Sequence, residues 1–70
     1  MTKILTFATV DGKFWTVRFN LDSKHVLTLG GRIGTKGYAR RFHFPTRDDV
    51  RAYVDGRIET KLSKGFAQVA

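Results

Sequence analysis

Cysteine is absent, proline occurs once, and six acidic residues face thirteen Lys and Arg. Without cysteine there is no disulfide, no thiolate metal site and no thiol nucleophile, and a reducing compartment suits the chain. A chain of 70 residues buries only about 60% of its unfolded surface, so an uncross-linked core must come from bulky side chains. The aromatics supply them: Phe7, Phe14, Trp15, Phe19, Tyr38, Phe42, Phe44, Tyr53 and Phe66. Long apolar runs are missing as well. The longest uncharged stretch near the N-terminus, Ile4 to Val10, falls far short of the ~20 residues a bilayer helix needs. It also lacks the basic flank and cleavage site of a signal peptide. The expectation is one domain over residues 1–70, with no membrane contact, cytoplasmic, and nucleoid-associated if the source is bacterial.

Carboxylates are scarcest where cations are densest. Residues 30–44 hold Arg32, Lys36, Arg40 and Arg41 and no acid, whereas residues 45–70 mix five cations with four acids. More than half of the net +7 therefore sits in one short stretch. A solubility surface would interleave both signs; clustering of one sign points to a polyanion. The same stretch is rich in glycine: Leu29-Gly30-Gly31-Arg32-Ile33-Gly34-Thr35-Lys36-Gly37. Glycine allows tight turns and close approach of another molecule to the backbone.

Periodicity places this stretch on a sheet. Lys3–Val10 and Lys13–Asn20 read as strands joined at Asp11-Gly12, a signal for a two-residue type I′ hairpin turn. Trp15, Val17 and Phe19 share one face of the second strand; Phe14, Thr16 and Arg18 share the other. A third strand, about His25–Ile33, alternates Leu27, Leu29, Gly31 and Ile33 with Val26, Thr28, Gly30 and Arg32. The fourth, Tyr38–Phe44, puts Tyr38, Arg40, Phe42 and Phe44 opposite Ala39, Arg41 and His43. Thr46 with Asp49 has the form of a capping box, opening a helix over about 46–64. Val50, Tyr53, Val54, Ile58 and Leu62 form its apolar stripe. Arg57 and Lys61 interrupt that stripe, either as snorkelling stems or as a second contact point for a partner. Gly65 stops the helix, and Phe66–Val69 reads as a short closing strand. The fold class is α+β: a twisted antiparallel meander of four to five strands with one helix across one face.

Gly31-Arg32-Ile33-Gly34-Thr35-Lys36-Gly37 resembles the WGR domain signature, Trp-Gly-Arg-Ile/Val-Gly followed by a turn and another Gly. Lys13-Phe14-Trp15 and Lys61 with Gly65-Phe66 resemble the family's opening and closing patterns, so the similarity spans about residues 13–67. The resemblance implies the same sheet-and-helix architecture and a DNA-binding role. In the poly(ADP-ribose) polymerases that carry such domains, the motif Trp packs on the sugar of a terminal nucleotide and the motif Arg touches DNA and neighbouring domains. This chain departs from the signature at its first residue: Gly30 stands in place of the Trp. Arg32 remains, and Tyr38 is the nearest ring that could stand in for the indole.

Catalysis finds no support in the residues. Lys36 precedes Gly37 and a strand, not the Ser/Thr and helix of a P-loop. His25 and His43 have no carboxylate or cysteine at ligand spacing, so no metal, cofactor or catalytic residue is expected. The expected function is duplex-DNA binding through sugar-phosphate contacts, at ends, nicks or breaks, in a DNA-repair setting. The site comprises Gly30, Gly31, Arg32, Lys36, Tyr38, Arg40 and Arg41, with Arg18 and Lys61 as outlying contacts. The alternative is a protein-interaction module that docks an acidic partner, such as a repair or regulatory enzyme, without touching DNA. A monomer is expected in either case.

Overall fold

The computed structural model describes residues 1–70. Five strands, β1 (Thr2–Ala8), β2 (Lys13–Asn20), β3 (His25–Arg32), β4 (Tyr38–His43) and β5 (Ala67–Gln68), flank one helix, α1 (Arg47–Ser63). The sheet order is β4-β3-β2-β1-β5, antiparallel throughout. Short turns between consecutive strands produce the meander, and α1 carries the chain back so that β5 closes on β1.

Alternation then decides which side chains meet the helix. Phe7 on β1, Trp15 and Val17 on β2 and Val26 on β3 point to one face, where Val50 and Val54 of α1 cover them. These six residues are the buried core, with Leu5, Phe19, Phe42, Phe44, Tyr53, Ile58 and Phe66 packed around it. Phe42, Phe44 and Tyr53 form an aromatic cluster with ring centroids 5.1–6.2 Å apart. The opposite face of the sheet carries Ile4, Thr6, Thr16, Arg18, Leu27, Leu29 and Arg41, and no element covers it. No helix is long and apolar enough to cross a membrane.

Two local details differ from expectation. The β1–β2 connection is not a two-residue type I′ turn. Gly12 N donates to Thr9 O (3.3 Å), and only Gly12 has positive φ (94°), the pattern of a four-residue turn closed by a glycine bulge. The Thr9 hydroxyl selects this form: it donates to the Asp11 carboxylate and accepts from Lys13 N (3.0 Å). That hydrogen bond holds the Asp11 carboxyl below its ordinary pKa, with Lys13 and Arg32 adding smaller attraction. Leu62, expected in the apolar stripe, is 52% exposed because the stripe outruns the sheet. The helix itself runs within its expected bounds: the Thr46 hydroxyl caps it by accepting from Asp49 N at 3.1 Å.

At the other end, Phe66 N donates to Lys61 O (3.1 Å) and Gly65 N to Leu62 O (3.2 Å), a Schellman closure. This closure brings Phe66 back against the last turn, beside Lys61.

Candidate nucleic-acid interface

Cross-strand register builds the site. Gly30 on β3 lies directly between Trp15 on β2 and Tyr38 on β4, and Thr28 lies between Val17 and Arg40. With no side chain at Gly30, the sheet has a gap at this point on its helix-facing side. The wall across the gap comes from the C-terminal half of α1, through Tyr53, Arg57 and Lys61, and from Phe66. A groove of about 700 Å³ results, bounded on its sheet side by Lys13, Trp15, Thr28, Gly30, Gly31, Arg32, Tyr38, Arg40 and Phe42.

The electrostatics of the groove are one-sided. Lys13, Arg32, Arg40, Arg57 and Lys61 line it, and no Asp or Glu does. The ion pairs in the molecule, Met1 amino–Asp22 and Arg47–Asp22, involve none of these five cations. Two cations rest on rings instead: Arg40 Cζ lies 5.5 Å from the Tyr38 centroid, and Lys61 Nζ lies 5.7 Å from Trp15 and 5.0 Å from Phe66. Partial burial pushes the Lys61 pKa down, and repulsion from Arg57 and Lys64 pushes it the same way. Such a lysine stands in a field of unneutralised positive charge, which an anion would relieve.

Of the residues singled out from sequence, Gly30, Gly31, Arg32, Tyr38, Arg40 and Lys61 converge on this groove. Three others do not join them. Lys36 sits in the exposed β3–β4 loop, away from the groove lining. Arg18 and Arg41 pair with Leu27 from either side and lie on the uncovered face of the sheet. Sequence reasoning left Lys13, Phe42 and Tyr53 out of the site and weighed Arg57 only as a secondary contact. The signal for Lys13 was its register opposite Arg32, which becomes visible only once the turn lengths are known.

The WGR domain family model matches residues 3–70, essentially the whole chain. The chain belongs to the WGR family. Domains of this family are in general of nucleic-acid-binding type. A crystallised Bacteroides fragilis protein, solved by a structural-genomics consortium, shares the fold with a TM-score of 0.78 over 100% of this chain at 21% identity. The WGR domain described here spans 20% of that protein's length, and the likeness bears on fold alone. No curated protein sequence matches the chain.

Within the WGR domain, the position that usually carries the signature Trp is the groove floor. A Cβ added at Gly30 would lie 3.4 Å from Trp15 Cδ1 and 3.4 Å from Phe14 O. The buried indole of Trp15, on the neighbouring strand, therefore borders the vacant position, and exposed Tyr38 borders it from the other side.

Proposed function

We propose that this WGR domain binds the sugar-phosphate backbone of duplex DNA in the groove between the sheet and α1, with preference for ends, nicks or breaks. The observation that carries the reading is a groove lined by five cations and no carboxylate, with those cations outside both ion pairs. Phosphate contacts of this kind position a protein without reading base sequence, so base preference is weak. The rings of Tyr38 and Phe66 give the groove apolar surface for a deoxyribose, and the gap at Gly30 lets a backbone approach closely. In this reading the domain is a binding module, not an enzyme: its groove offers attraction and shape.

Gel-shift comparison of linear, nicked and closed circular DNA of one sequence tests the proposal. Linear and nicked forms are expected to shift at lower protein concentration than the closed circle. Arg32→Ala weakens the shift more than Lys3→Ala, because Arg32 lines the groove and Lys3 does not. Absence of any shift at low salt, together with an acidic partner retained after nuclease treatment, would replace this reading with protein docking.

A further inference from the structure

The groove leaves one cationic cluster unused, and it lies on the far side of the sheet. Arg18, Leu27 and Arg41 form one cross-strand row on β2, β3 and β4; Asn20, His25 and His43 form the next. The two imidazole rings meet edge to face with centroids 4.8 Å apart. A shallow depression of about 500 Å³ opens over these six residues, and no Asp or Glu lines it. The carboxylate of the adjoining turn, Asp22, is held by Arg47 and the Met1 amino group. Asn20 is also committed: its Oδ1 accepts from Asp22 N (2.8 Å) and Ser23 N (3.1 Å), and its Nδ2 donates to Thr2 Oγ1 (3.3 Å). The four basic side chains are therefore the groups left to meet a ligand.

We propose that this uncovered face is a second, separate nucleic-acid surface, one that takes a single-stranded segment. Strands lie about 4.8 Å apart, so Arg18 and Arg41, two strands apart, stand roughly 10 Å apart at the backbone. That width suits successive phosphates of a strand better than one isolated carboxylate. Two histidine rings and two guanidinium planes on an open sheet face also offer stacking for unpaired bases, with Leu27 as apolar ground between the arginines. An acidic peptide would use the charge and leave the stacking unused.

His25 faces Asn20 and, diagonally, Arg18 from β2, His43 and Arg41 from β4, and Lys24 beside it in the turn, so no carboxylate on these strands competes with a phosphodiester there.

The test uses the full chain carrying Arg32→Ser, Arg40→Ser, Arg57→Ser and Lys61→Met, which removes four of the groove's five cations and leaves the far face intact. Histidine ring resonances are followed by NMR while a thymidine tetranucleotide without terminal phosphates is added. The expected result is saturable movement of the His25 and His43 signals. Adding Arg18→Ser and Arg41→Ser abolishes it, and a tetraglutamate peptide binds at least tenfold more weakly than the tetranucleotide. Unmoved histidine signals, or equal binding of the peptide, would each overturn the proposal. Because the groove is already disabled, loss here is distinguishable from failure of the groove reading, which is measured on the chain with an intact groove.

Discussion

Two glycines, Gly30 and Gly37, seven residues apart in sequence, show how much one position decides. Gly37 has φ +76°, and a Cβ there would lie 2.7 Å from Gly30 O and 2.9 Å from Phe14 Cζ. No side chain fits without moving backbone. Gly30 has ordinary φ, and a Cβ there meets its neighbours at 3.4 Å, within reach of small adjustment. Gly37→Ala is therefore expected to cost about 2 kcal/mol, lowering the melting temperature by roughly 10 °C in a domain this small. Gly30→Ala should leave the melting temperature within about 4 °C of the parent. Thermal unfolding followed by circular dichroism separates the two.

Lys61 carries an opposite trade between stability and function. Its pKa is lowered, so the folded chain holds the ammonium proton less tightly than the unfolded chain does. The penalty is present at neutral pH and fades as pH rises through the folded value. Lys61→Met removes the charge while keeping a stem to pack on Trp15 and Phe66, so the melting temperature at pH 7 is expected to hold or rise. DNA affinity falls in the same variant. A variant that loses stability and binds DNA as before would contradict the assignment.

Among the elements, the β1–β2 turn is the clearest case of a side chain overriding a sequence signal. Asp-Gly between apolar runs favours a type I′ turn, but Thr9 ties Asp11 and Lys13 N together and leaves only Gly12 with positive φ. Thr9→Ala is expected to let the Asp11 pKa rise toward the ordinary carboxylate value, read by carboxyl carbon NMR during a pH titration. The sign follows from linkage: a lowered carboxylate pKa favours the fold above the usual carboxylate range, and that contribution is lost as pH falls through the folded value. The variant should lose this part of its acid sensitivity.

The strands and helix were legible because alternation and capping act locally. Trp15, Val17 and Phe19 on one face, and Thr46 ahead of Asp48-Asp49, needed no knowledge of distant residues. The groove was only half legible for the opposite reason. Arg32, Arg40 and Tyr38 are near in sequence, but Lys13 and Phe66 reach the same place through strand register and the Schellman closure. Adjacent Arg40 and Arg41 look like one patch when read as a run of charge, yet alternation sends them to opposite faces.

At the scale of the whole molecule, a body of 35 × 24 × 17 Å carries a net charge of +7. Its thin dimension is one sheet and one helix, so cations on both faces sit within a short distance of solvent on either side. The acids Asp48, Asp49, Asp55 and Glu59 lie on exposed parts of α1, and no carboxylate lines the groove or the depression on the uncovered face. The groove is where charge, rings and an open backbone coincide.

The salt dependence of duplex binding measures that coincidence most directly, by fluorescence anisotropy of a labelled duplex at several salt concentrations. Neutralising four to five phosphates predicts log affinity falling against log salt with a slope of about −4, and Arg40→Ser flattening it by about one. Duplex affinity that ignores salt, or a slope that Arg40→Ser leaves unchanged, would contradict the groove as the seat of binding.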